Sequence, residues 1–154
     1  MSLILHFIYS FFATVGFAVV FNTPKKSLIY GGLCGRTGWT VYTALQPLIS
    51  PAPANLIAAI SVAALGELFA RINKNPVTAF VIPGIIPLVP GYGIYSTMLN
   101  LLQNNLEQGL SLGLNTIFNS GAIAIGVILV SSIAKILKRK NSKKPMTLPI
   151  IYLI

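Results

Sequence analysis

Five long apolar runs, separated by short polar or proline-bearing turns, organise this sequence. Leu3 to Phe21 is followed by Asn22-Thr23-Pro24-Lys25-Lys26, and Leu28 to Leu48 is closed by Ser50-Pro51-Ala52-Pro53. A third, shorter run extends from Asn55 to Ala70 and ends at Arg71 and Lys74. The fourth, Val77 to Leu102, contains Pro83, Pro87 and Pro90. After the polar stretch Gln103 to Gly109, the fifth run spans Leu110 to Leu137 and gives way to Lys138-Arg139-Lys140-Asn141-Ser142-Lys143-Lys144. A helix needs about 20 mostly apolar residues to cross a hydrocarbon core of about 30 Å. The pattern therefore predicts an all-α integral membrane bundle of five transmembrane helices, at 3–21, 28–48, 55–70, 77–102 and 110–137, with 138–154 as a basic cytoplasmic tail. The end of that tail, Met146 to Ile154, is apolar but too short to span. Continuous apolar runs replace the period-two alternation of a β-barrel.

Composition agrees. Of 154 residues 55% are apolar and 8% charged, far below the roughly one quarter charged of a soluble domain. Disorder needs the opposite balance. The formal net charge of +9 does not indicate nucleic acid, because the basic residues are not spread over a soluble face. Instead they mark sides. Lys25 and Lys26 follow run 1, Arg71 and Lys74 follow run 3, and the basic cluster follows run 5, whereas the turns after runs 2 and 4 carry no Lys or Arg. The positive-inside rule then gives an outside N-terminus and a cytoplasmic C-terminus. No basic segment precedes Leu3, so the first run reads as an uncleaved helix rather than a secretory signal.

Polar groups inside the runs are the candidate chemistry, because an ionisable side chain at mid-membrane costs on the order of 2.5–3.5 kcal/mol on insertion scales. Arg36 lies about 13 Å into the second run at 1.5 Å per residue, on one face with Gly32, Trp39, Thr40 and Thr43. It either faces a wet path and holds a carboxylate, or pairs structurally with carbonyls or a neighbouring subunit. Glu67 is either a proton-coupling carboxylate or half of an i,i+4 ion pair with Arg71.

The fourth run carries the most information. Asn75 suits a helix cap and Pro76 a first turn. Beyond them, Pro83, Pro87 and Pro90 each remove an N–H and clash with the carbonyl four residues back, those of Ala79, Pro83 and Ile86. Gly84, Gly91 and Gly93 add backbone freedom. A regular helix cannot survive that density, and irregular backbone at membrane depth must be buried in protein or line water. A broken helix of this kind predicts a cavity where substrate binds, with a new helix starting near Tyr92 and aiming its positive dipole end at a carboxylate. Tyr92 and Tyr95 are candidate hydroxyl donors there, and Asn119 a candidate contact. Ser10 with Thr14, Gly31 with Gly35 and Gly38, and Asn115 with Asn119 and Gly126 form small or polar rows that suit close helix packing.

Enzyme chemistry finds no support. There is no His/Cys/carboxylate set with metal spacing, no nucleophile–base pair and no phosphate loop, so neither metal nor cofactor is expected. The lone Cys34 forms no intrachain disulfide.

The segments Phe17 to Pro24 (FAVVFNTP), Gly38-Trp39, ALGELFAR around Glu67, Asn75-Pro76 and Val81 to Met98 (VIPGIIPLVPGYGIYSTM) resemble the small subunit of split threonine/serine exporters of the ThrE type. The resemblance implies a proton-gradient-driven secondary exporter of small amino or organic acids in the inner membrane of a bacterium. It also implies a larger five-helix partner subunit. Asn22, Pro24, Glu67, Pro83, Gly84, Pro87, Pro90, Gly91 and Tyr95 match motif positions of that family. Arg36 stands where a small residue is expected, which leaves open threonine and serine versus a more acidic molecule such as a dicarboxylate. The rival readings are a non-transporting scaffold subunit and a homo-oligomeric channel.

Overall fold

The computed structural model describes residues 3–141, with side chains from 5 to 138; the apolar tail segment 146–154 lies outside the described residues. Among the described residues the chain is all helical. It forms α1 (Leu3–Val20), α2 (Leu28–Leu45), α3 (Pro51–Asn73), α4 (Thr78–Ile85), α5 (Gly91–Leu102) and α6 (Leu106–Asn141), with 3-10 turns at Lys25–Ser27 and Ile86–Leu88.

By length and composition, α3 and α6 suffice to cross a membrane, and the bent pair of α4 with its 3-10 turn and α5 makes a third if it counts as one span. The sequence pattern predicts five. The difference lies in α1, whose apolar part Leu5–Val20 is short, and in α2, where Gly31, Gly32, Gly35, Gly38 and Arg36 dilute the apolar residues.

Two helix starts lie earlier than expected. Pro51 occupies the opening of α3, where a missing N–H costs nothing and the fixed φ suits a helix; the proline-rich turn is thus the first turn of the span. In the same way α6 begins at Leu106 and absorbs Glu107 and Gln108. Asn75 does not cap α4: it donates its side-chain amide to the buried Ser27 Oγ at 2.6 Å, and α4 starts at Thr78.

The first turn of the chain is built around Asn22, whose φ of 52° is the left-handed conformation that Asn tolerates and that closes helices. Thr23 N–H donates to Ala18 O at 3.0 Å, and Ser27 N–H to Pro24 O at 2.7 Å. Asn22 and Pro24 therefore stop α1 and start the 3-10 turn.

Helix α2 is the hub, packed against α1, α3 and α4, while α6 packs on α3 and α5. Small residues permit this. A Cβ on Gly32 would come within 2.6 Å of Phe11, and one on Gly126 within 2.9 Å of Leu56 O. Added Cβ atoms on Gly35 and Gly38 would fall on Thr14 and Val62. The core between the helices comprises Cys34, Ala58, Ala59, Val62, Phe80, Leu88 and Ile123. The Ser27–Asn75 bond joins the α1–α2 and α3–α4 connections, and Asn75 shares a cleft with Lys135 and Lys138 of α6. Lys25 and Lys26, Arg71 and Lys74, and Lys135 and Lys138 thus lie toward one end of the bundle.

Candidate functional site

The fourth run breaks as its prolines require. α4 carries Pro83 in its interior, a 3-10 turn follows, Val89 is extended (ψ 126°), and α5 restarts at Gly91. The two halves meet at 49°. The expectation that three carbonyls lose their partners needs correction. Ile86 N–H reaches back to Pro83 O, and Val89 N–H to Ile86 O at 3.2 Å. Tightening to i→i−3 spacing, the usual device at helix ends, reclaims two of the three.

A cavity of about 370 Å³ adjoins the break. Pro87, Pro90, Gly91 and Tyr92 line it from the break and the start of α5. Trp39 and Tyr42 face it from α2, Asn55 from α3, and Asn115, Thr116 and Asn119 from α6. Gly91 N–H turns back to Val89 O at 2.8 Å, and Ile94 N–H continues the helix to Pro90 O. The intervening N–H groups of Tyr92 and Gly93 are the free donors of a helix start, and both residues line the cavity. Gly93 lets α5 approach this closely, since an added Cβ would fall on Thr116 Oγ1.

Asn55, 4% exposed, donates through Nδ2 to Asn119 Oδ1 at 3.2 Å. Amide side chains, hydroxyls, two backbone N–H groups and a helix dipole make a wall suited to a small polar molecule with a carboxylate. Sequence reading missed Asn55, which it placed at the edge of a helix; the signal available was its position two residues inside a run opened by Pro51 and Pro53.

The other nominated residues lie elsewhere. Pro83 and Gly84 are buried in the α2–α3–α4 contact: Pro83 Cγ packs near Gly31, and a Cβ on Gly84 would lie 2.8 Å from Val62 Cγ1 and 3.0 Å from Cys34 Cβ. Arg36 is half-buried at the α1–α2 contact, its guanidinium 3.1 Å from the Phe7 ring centroid and its Nε buried without a hydrogen-bond partner. Such a cation–ring contact replaces part of the lost hydration. Tyr95 is 63% exposed on α5. Glu67 lies at the basic end, in a separate cleft with Arg71 and Lys74. A third opening, of about 260 Å³ and lined by His6, Tyr9 and Ser10, shares Trp39 and Pro87 with the cavity. Trp39 is held there by its indole N–H, which donates to His6 Nδ1 at 3.3 Å.

A family model described as "Threonine/Serine exporter, ThrE" matches residues 6–133. A Corynebacterium glutamicum protein named "Threonine/serine exporter" is 32% identical over 129 residues, covering 84% of this chain and 26% of that protein. A Haemophilus influenzae protein named "Uncharacterized protein" is 32% identical over 139 residues, covering 84% of this chain and 46% of its own length. The chain thus spans less than half the length of either relative. No solved structure matches it.

Proposed function

The chain belongs to the threonine/serine exporter (ThrE) family, and on that premise we propose that it is the small membrane subunit of a proton-gradient-driven exporter of small amino or organic acids. It crosses the inner membrane five times, with the N-terminus outside and residues 138–154 in the cytoplasm, and works with a larger five-helix partner subunit. The cavity beside the α4–α5 break carries this reading. It unites free helix-start N–H groups of Tyr92 and Gly93 with the amides of Asn55 and Asn119, which together recognise a carboxylate and a polar side group. Tyr92, 82% exposed, leaves the cavity open on one flank for a partner to close.

The gathering of Lys25, Lys26, Arg71, Lys74 and Lys138 toward one end of the bundle supports the topology, since positive loops favour the cytoplasmic side. An N-out half paired with a half entering from the cytoplasm forms an inverted repeat, whose rocking alternates access to a midplane site. Arg36, Pro83 and Gly84 support the bundle around that site, and Pro87, Pro90, Gly91 and Tyr92 with Asn119 contact the substrate. Glu67 couples the proton.

Efflux from proteoliposomes holding this chain alone, its partner alone, or both tests the reading. The pair should export threonine, serine or succinate only under a pH gradient. Flux without a gradient would indicate a channel. Full activity of the larger subunit alone would indicate a scaffold.

A further inference from the structure

An opening larger than the cavity at the helix break lies elsewhere. It encloses about 770 Å³ at the basic end of the bundle, between the C-terminal parts of α3 and α6. Arg71, Lys74, Lys135 and Lys138 set four positive charges around it against the single negative charge of Glu67. Like charges gathered around one opening repel, and an anion placed among them relieves that repulsion.

Two observations decide which anion. The cleft has apolar lining from Ala70, Ala134 and Leu137, and the same turns of α3 and α6 carry Leu68, Ile72, Ile133 and Ile136, each at least half exposed. A free phosphate has no use for those side chains, whereas acyl chains would cover them. The cations also lie at the right depth. From Pro51 to Arg71, α3 rises about 30 Å at 1.5 Å per residue, the thickness of a hydrocarbon core. If one end of the span lies at one headgroup layer, Arg71 lies at the other.

We propose that this cleft binds the phosphate headgroup of an anionic phospholipid and seats one lipid between α3 and α6. Basic pockets between membrane helices bind such headgroups. The proposal rests on the reading of the chain as a membrane protein, and not on its transport activity.

The full chain, extracted from membranes in mild detergent, is mixed with phosphatidylglycerol or with phosphatidylcholine of the same acyl chains, and retained lipid is counted by native mass spectrometry. Phosphatidylglycerol should be retained in preference. Arg71→Gln and Lys135→Gln should each lower its retention about fivefold, while Lys135→Arg restores it and shows that the fold survives. Lys25→Gln combined with Lys26→Gln, which removes charge from the same end but outside the cleft, should leave retention unchanged. Equal retention of the two lipids, equal loss in the Lys25/Lys26 variant, or displacement of the lipid by inorganic phosphate would each overturn the proposal. A chain absent from the membrane fraction would overturn the membrane reading itself. Retention is read without a transport assay, so an inactive exporter that keeps the lipid still supports the site.

Discussion

Asn55 Nδ2 and Asn119 Oδ1 lie 3.2 Å apart and join α3 to α6 in the wall of the cavity. The amides do two things at once. Their mutual bond fixes the spacing of the two longest helices, and Asn119 N–H and Asn55 carbonyl groups remain for a solute. On the proposed reading, a packing role and a binding role coincide at the same pair.

Removing one partner should expose both roles. Asn119→Ala leaves Asn55 Nδ2 buried without its acceptor, and should destabilise the protein by about 1–2 kcal/mol, the scale of interhelical hydrogen bonds and their loss. Thermal unfolding in detergent measures that term. Export should fall further than stability explains. A variant that loses stability but exports normally would confine the pair to packing.

Glycine substitutions should divide sharply by position. A Cβ on Gly84 meets Val62 Cγ1 at 2.8 Å and Cys34 Cβ at 3.0 Å. Val62 is β-branched and fully buried, so it cannot swing aside. Gly84→Ala should cost about 1–3 kcal/mol, as overpacking does. Gly16 has nothing within 4 Å of an added Cβ, and Gly16→Ala should be neutral or should stabilise by up to about 1 kcal/mol through helix propensity. The buried thiol of Cys34 gives the readout: in Gly84→Ala it should react with a maleimide at a lower temperature than in the parent, and in Gly16→Ala it should not.

Much of this was legible in the sequence because membrane helices announce themselves by uninterrupted apolar runs and prolines announce their breaks. The break at Pro83 to Pro90 follows from local chemistry alone. Its repair does not: whether Ile86 N–H finds Pro83 O depends on how the chain tightens into a 3-10 turn. Helix starts escape the apolar pattern where polar or proline residues lie inside a first turn, as at Pro51 and at Glu107. Asn75 illustrates the same limit, since its competing partner, Ser27, is 48 residues away in sequence. The grouping of Trp39, Asn55 and Asn119 around one cavity comes from three different helices, and no spacing along the chain encodes it.

The break should be necessary for transport. Pro87→Ala with Pro90→Ala restores two N–H donors and removes the rings that force the 49° bend. α4 can then continue toward α5 with regular i→i−4 bonds and straighten the wall of the cavity. Export should be abolished while membrane insertion and abundance stay normal. Unchanged efflux in a variant that inserts normally would detach the cavity from the transport path.

Glu67 has two competing uses. It lines the basic cleft with Arg71, Lys74, Lys135 and Lys138, where a carboxylate balances charge, and it is also the one acid within the third apolar run, where a proton carrier belongs. The two uses differ in what Glu67→Gln changes. As a proton-coupling group, the variant should still bind and exchange substrate across proteoliposomes but should no longer accumulate it in response to a pH gradient. As a charge balancer alone, it should export with the parent's gradient dependence and lose no more than about 1 kcal/mol of stability, since even a formed ion pair at an exposed or half-exposed site contributes little. We expect the first outcome, read as exchange retained and gradient-driven accumulation lost. Glu67→Asp, which keeps the carboxylate and shortens its reach, should recover part of the accumulation if a proton is carried at this position, and no more than the Gln variant if only the charge balance matters.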